Sequence, residues 1–347
     1  MLRQKLLLLL WIGISVLGLR VVEASGIVFT SARRGEFGEI RLADIYVMTF
    51  DGSNVKQLTQ TPVSEGSPMW SPDGTYILFH RDVGSLTGQQ FDIFIMDADG
   101  SNEQRLTYHP ANDGFPTWSP NGKQIAFSSG RSGNIEVYLM DLVSGKIRQL
   151  TDNEKIGGLS SKPNFSPDGR HIVYEQVIRN AGRQIYIIDV QTGATRNFLP
   201  QRIGENDTIS RYTPRFSPDG KYLLYSEVEF RIEPGAIRRT ANRLIVVNNR
   251  GTGRKVLKIP KNWRFETASW AAHGTEILIA AMPNGLGGPL VPPTFDIYRY
   301  RLSTGQLTQL TNHPDRDSAP NWTRHALAVS SQGKLKTQWA EIKRENK

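Results

Sequence analysis

The sequence predicts an all-β fold, a six-bladed β-propeller of four-stranded antiparallel blades. Three observations carry this prediction. The first is a phrase that recurs as Pro68-Met69-Trp70-Ser71-Pro72-Asp73-Gly74, Pro116-Thr117-Trp118-Ser119-Pro120-Asn121-Gly122, Pro163-Asn164-Phe165-Ser166-Pro167-Asp168-Gly169 and Pro214-Arg215-Phe216-Ser217-Pro218-Asp219-Gly220. With the eroded copies around Trp270 and Trp322, its aromatic returns every 47 to 54 residues, the period of a repeat array. The second is that the apolar runs between copies are too short for helices and are bounded by turn residues, as strands are. The third is that the chain opens on a second strand and closes on a first one, so the two ends can complete one blade.

Each blade can be justified strand by strand. The phrase itself is the first strand and the turn after it. The second strand follows at once: Tyr76-Ile77-Leu78-Phe79, Gln124-Ile125-Ala126-Phe127, His171-Ile172-Val173-Tyr174 and Tyr222-Leu223-Leu224-Tyr225. A third run opens on a polar residue, as in Asp44-Ile45-Tyr46-Val47-Met48, Asp92-Ile93-Phe94-Ile95-Met96 and Glu136-Val137-Tyr138-Leu139-Met140. Asp99-Gly100-Ser101, Ser144-Gly145-Lys146, Thr192-Gly193-Ala194 and Thr304-Gly305-Gln306 then supply hairpin residues that tolerate positive φ. The fourth strand ends in Leu-Thr, at Thr59, Thr107, Thr151 and Thr311. A four-stranded sheet with two apolar faces cannot bury both alone, whereas a ring of such sheets buries each face against a neighbour.

Counting third strands gives six blades, at Asp44, Asp92, Glu136, Gln184, Leu244 and Asp296. Ile27-Val28-Phe29 enters as a second strand, and Pro320-Asn321-Trp322 arrives as the first strand that completes its blade. Leu327-Ala328-Val329-Ser330 could start a seventh blade but lacks the third-strand signature.

Residues 1–24 have the pattern of a secretory signal peptide: Arg3 and Lys5, an apolar stretch from Leu6 to Leu19, and small or branched residues in Val22-Glu23-Ala24 at the positions read for cleavage after Ala24. The expected layout is therefore a leader over 1–24, the propeller over 25–333 and a basic tail over 334–347 with Lys334, Lys336, Lys343, Arg344 and Lys347. The expected address is the periplasm or the exterior, with no membrane span in the mature chain and a monomeric state. There is no cysteine, which excludes disulfides and Cys-ligated metals. Loss of the leader lowers the net charge from +9 to +7, a balance that favours anionic partners. A protein or an anionic cell-envelope component fits this expectation, and nucleic acid does not.

The usual catalytic constellations are missing. There is no Gly-x-Ser-x-Gly elbow, no His-Glu-x-x-His pair and no phosphate-cradling glycine loop. The candidate binding residues lie instead in the links between blades. His109 with Asp113 and His313 with Asp317 occupy matching phrases after Leu106-Thr107 and Leu310-Thr311, and Glu65 occupies the comparable link before blade two. These residues could line a channel mouth and hold a divalent cation, although no cofactor is predicted. The alternative is that the acids cap turns.

Arginines recur just past the second strands, at Arg33, Arg34, Arg81, Arg131, Arg179 and Arg231. They could form an anion-binding ring or pair with the acids that open the third strands, Asp44, Asp92 and Glu136. Two departures from the repeat suggest a docking edge: a basic insertion in blade five containing Arg231, Arg238, Arg239 and Arg243, and a Gly/Pro-rich run from Met282 to Pro293 in blade six. Trp263 lies between them.

Taken together, the phrase, the strand runs and the hairpins resemble the TolB-like β-propeller family over roughly residues 26 to 330. The resemblance is to the propeller alone, without the mixed α/β domain that precedes it in TolB. It implies an exported, non-catalytic scaffold for protein–protein or envelope-component binding. The competing classes are a propeller enzyme, a lyase or hydrolase with a metal or acid/base site at the channel mouth, and an accessory module of a periplasmic peptidase system.

Overall fold

A computed structural model describes residues 26–32, 42–84, 90–153, 158–178, 182–199, 207–233, 236–283, 294–314 and 316–324, with side chains at all of these except 207–208, 232–233 and 236–238. The expected leader, the tail, the candidate seventh blade, Arg33, Arg34, Arg179 and most of the Gly/Pro-rich run lie outside the described residues.

The strands form six four-stranded antiparallel sheets. Blade one joins β1 (Gly26–Ala32), β2 (Asp44–Thr49) and β3 (Lys56–Gln57). Blade two holds β4 (Glu65–Trp70), β5 (Tyr76–Asp82), β6 (Phe91–Asp97) and β7 (Gln104–Arg105). Blade three holds β8 (Asp113–Trp118), β9 (Gln124–Ser129), β10 (Glu136–Asp141) and β11 (Ile147–Gln149). Blade four holds β12 (Leu159–Phe165), β13 (His171–Ile178), β14 (Gly182–Asp189) and β15 (Thr195–Asn197). Blade five holds β16 (Asp207–Phe216), β17 (Tyr222–Glu233), β18 (Ala236–Asn248) and β19 (Lys255–Val256). Blade six holds β20 (Arg264–Ala271), β21 (Glu276–Met282), β22 (Asp296–Arg301) and β23 (Leu307–Gln309). Finally β24 (Arg316–Thr323) returns to pair with β1, so blade one is completed by strands from both ends of the array.

The first strands β4, β8, β12, β16, β20 and β24 each contact the next, and β24 contacts β4, which closes the ring around a central channel. The core is divided among the blade interfaces. Ile77 and Phe79 of β5 pack toward blade one, while Leu78 between them packs toward blade three. Successive side chains point to opposite faces of a strand, so a strand buried on both faces needs the unbroken apolar runs seen in the sequence.

The prolines of the repeated phrase mark a bulge. Ser67, Phe115, Lys162, Thr213 and Ala319 each precede one, and each has a φ of 49–53°. The strand register shifts at each of these places. Proline cannot donate to a ladder, and a bulge lets the strand absorb it. In three blades the bulge N–H reaches the neighbouring blade, at the residue just after the second-strand aromatic. Phe115 donates to His80 Nδ1 at 3.3 Å, Lys162 to Ser128 Oγ at 3.0 Å and Thr213 to Glu175 Oε1 at 2.7 Å.

Candidate functional site

The two ends of the channel are built differently. The end where the first strands begin carries the residues singled out from the sequence, and its carboxylates are already engaged. Glu65, 3% exposed, pairs with Arg81 and accepts from the Thr59 hydroxyl. Asp113, fully buried, takes both its bonds from Arg131 Nη2, at 3.1 and 2.9 Å. Burial is the largest influence on Glu65 and raises its pKa, against the opposing pull of Thr59 and Arg81.

The recurring arginines therefore do not pair chiefly with the acids that open the third strands, which was one of the two expectations. Those acids have other partners. Asp92 is bound by Arg105 and Thr107, Glu136 by Thr151 and by the backbone and side chain of Asn153, and Asp44 by Gln57 and the Thr61 backbone. The reason lies in the repeated Leu-Thr. Thr107 and Thr151 each accept the N–H of the residue after the acid, at 3.0 and 2.9 Å, and donate to the acid itself. The acid is thereby drawn toward the outer strand, which leaves Arg81 and Arg131 to the first-strand carboxylates.

His109 and His313 lie in separate links. His109 Nδ1 accepts from Ala111 N at 3.1 Å, and the His313 backbone donates to Asp296 Oδ1 at 3.2 Å. Asp317 is fully buried, and its charge helps burial to raise the pKa of Asp296. Among the described residues no group of three His, Asp or Glu side chains is placed to hold a metal ion. The hairpin acids Asp73, Asp99, Asp168 and Asp219 each accept a backbone N–H two residues on, whereas the link acid Asp113, for which turn capping was the alternative, is held by Arg131.

In blade five, β17 and β18 run for 12 and 13 residues, while second and third strands elsewhere run for six to eight. They stay paired from Tyr222↔Asn248 to Glu233↔Ala236, forming a projecting hairpin. Arg231 and Arg239 are exposed on it, and Arg239 lies over the Phe230 ring at 5.9 Å. Arg238 pairs with Arg231 through the backbone, and its side chain is outside the described set. Arg243 is engaged by Glu229, and Arg254 by the buried Glu227. Trp263 stacks edge-on with Tyr298, centroids 4.7 Å apart, and helps fill the interface between blades five and six.

The opposite end of the channel holds a cavity of about 400 Å³, lined by the repeated phrase itself. At its wall stand the residues between the proline position and the aromatic: Met69, Thr117, Asn164, Arg215, Ser269 and Asn321. Sequence reasoning passed over them. The available signal was that this one position takes five residue types over six blades while its neighbours largely repeat.

Two members of the ring are fixed by their own bonds. Asn164 Oδ1 accepts from Phe216 N at 2.9 Å, and Asn321 Oδ1 from Trp70 N at 3.0 Å. Arg215 donates to the Pro214 carbonyl at 3.0 Å, and burial lowers its pKa to about 10, with the Glu175 charge opposing that change. His273, edge-on to Trp322 at 5.3 Å, and Arg324 lie at the cavity's rim, and no carboxylate is among its described lining.

Comparison with known proteins fits this architecture. The family described as TolB beta propeller domain matches residues 83–273. A Protein TolB homolog of Chlorobium luteolum is 29% identical over 179 residues, which is 52% of this chain and 37% of that protein. The Uncharacterized peptidase YuxL of Bacillus subtilis is 28% identical over 146 residues, 42% of this chain and 19% of that one. The chain thus spans about a third of the length of the curated TolB homologues it matches, 37% and 32%. Among solved structures, TolB from Acinetobacter baumannii superposes with a TM-score of 0.63 at 18% identity, covering 86% of this chain and 66% of that one. Hydrazine synthase of Kuenenia stuttgartiensis also gives 0.63, at 16% identity, over 86% of this chain and 46% of that one. At such identities these two structures speak to the fold alone.

Proposed function

Because the chain belongs to the TolB beta propeller domain family, we propose that it is an exported, non-catalytic scaffold that docks a protein or an anionic cell-envelope component on the blade-five edge of the ring. The observation that carries this reading is the β17–β18 hairpin. It extends about five residues beyond its counterparts, roughly 15 Å at the rise of a strand. Because β16 pairs with β17 as far as Arg231, the projection offers the outer edge of β18 together with exposed Arg231 and Arg239, whose guanidinium groups match carboxylates or phosphates. Nearby on blade six, Arg264 lies over the Phe295 ring at 5.9 Å, and its charge acts on Arg239.

The leader pattern places this activity in the periplasm or outside the cell. No helix among the described residues is long and apolar enough to cross a membrane.

The test is a binding comparison between the native protein and a variant in which residues 230–239 are replaced by a two-residue turn. Both are immobilised and exposed to solubilised envelope proteins and to vesicles containing anionic lipid. The reading expects a partner that the native protein retains and the shortened variant loses, with an unchanged melting temperature. Equal retention by a folded short variant overturns it.

A further inference from the structure

We propose that the end of the channel lined by the repeated phrase is a carboxylate-binding site, in which Arg215 receives the anion and the side-chain amides of Asn164 and Asn321 complete its cradle. The site is separate from the blade-five edge and stands without it.

The first argument is the character of the wall. The Oδ1 atoms of Asn164 and Asn321 are committed to backbone N–H groups of neighbouring blades, which fixes each amide and leaves its NH₂ as the free functional end. Ser269 spends its hydrogen on the Pro320 carbonyl at 2.6 Å. With Arg215 and Arg324 added, the cavity offers two guanidinium groups and two amide NH₂ ends alongside hydroxyl acceptors such as Ser269 Oγ, and no carboxylate is among its described lining.

The second argument is the state of Arg215. Taking a guanidinium out of water is costly unless an anion joins it. Apart from the Pro214 carbonyl, no acceptor meets it among the described residues. Glu175 is close enough to act on its charge but is already saturated by Lys162 at 3.2 Å, Arg183 at 3.0 Å and the Thr213 N–H at 2.7 Å. A half-buried cation left in this state on the wall of a cleft marks a place prepared for a ligand.

Size sets the third limit. A cavity of about 400 Å³ is near the lower end of the roughly 300–1,000 Å³ range of small-molecule pockets. It admits a small organic acid or the last few residues of a peptide. A carboxylate can pair with a guanidinium through two parallel hydrogen bonds.

The experiment titrates the full chain with succinate, with a five-residue peptide ending in a free carboxylate, and with the same peptide amidated. Calorimetry and melting temperature are the readouts. Saturable binding of succinate supports a free organic acid as the source. Binding of the free peptide but not of its amide supports a chain terminus. In either case Arg215→Met is expected to weaken binding at least tenfold, the loss typical of a hydrogen bond to a charged group. The same variant is expected to melt at or above the native temperature, because it removes a desolvated charge. Arg324→Glu, at the exposed rim, provides a second variant and should weaken binding several-fold. Arg239→Ala should leave it unchanged, so failure here is distinguishable from failure of the blade-five reading. The proposal is overturned if no carboxylate binds saturably, or if Arg215→Met and Arg324→Glu bind as the native protein does.

Discussion

Arg131 binds Asp113 through a single nitrogen, Nη2, while its guanidinium lies over Phe127 at 5.2 Å and Tyr138 at 5.0 Å. The arrangement repeats one blade earlier, where Arg81 binds Glu65 and lies over Phe79 at 5.3 Å and Phe94 at 4.8 Å. In both blades an arginine at or just past the end of the second strand ties the start of the first strand to the aromatic stack of the second and third.

Asp113→Ala should therefore be strongly destabilising. The carboxylate is fully buried and Arg131 half-buried, and removing the carboxylate leaves the guanidinium partly desolvated with no counter-charge at this place. The expected loss is about 3 kcal/mol, read by urea unfolding. A loss under about 0.5 kcal/mol would show that the pair contributes little.

His80 predicts a pH dependence. Its ring is packed edge-on against Phe91 and Phe115, its Nδ1 accepts the Phe115 N–H, and burial lowers its pKa to about 4. The unfolded chain takes up this proton near pH 6.5 and the folded chain only near 4. Stability is therefore fully present above pH 6.5 and declines as pH falls toward 4, by about 3 kcal/mol. His80→Asn keeps an acceptor but does not titrate. Melts at pH 7 and pH 4.5 should show a larger drop for the native protein than for the variant, and equal drops would sink the assignment.

Trp118→Ala should cost about 3–5 kcal/mol. The indole is 7% exposed, packs with Leu78, Ile95 and Ile125 between blades two and three, and donates to the Met69 carbonyl at 3.3 Å. Deleting it opens a cavity between two sheets that cannot move together without breaking the ring. Chemical denaturation with near-ultraviolet circular dichroism would register both the lost stability and the loosened packing.

Removal of β24 should unseat the ring. Ending the chain at residue 314 strips β1 of its partner from Thr323 to Arg316 and removes the Asn321 Oδ1 that holds Trp70 N across 251 positions of sequence. The exposed edge of β1 invites pairing with another chain. The expected outcome is a melting temperature more than 10 °C lower, with aggregation seen by light scattering. A monomer of native stability would mean that blade one closes without it.

The sequence by itself determined the number of blades, the strand order within each and the closure of the first blade by the last strand. These follow from local pattern: runs buried on both faces, turn residues at fixed offsets, and a period longer than any single hairpin. Only the tertiary structure decided which charges meet. The acids that open the third strands were drawn outward by the threonines of Leu-Thr, so Arg81 and Arg131 found the first-strand carboxylates instead. The end of the channel lined by the repeated phrase was equally hidden. Met69, Thr117, Asn164, Arg215, Ser269 and Asn321 are about fifty residues apart in the chain, and they form one wall because the ring brings equivalent positions of every blade to a common axis. Periodicity can be read along a chain, but the convergence it produces exists only once the circle is closed.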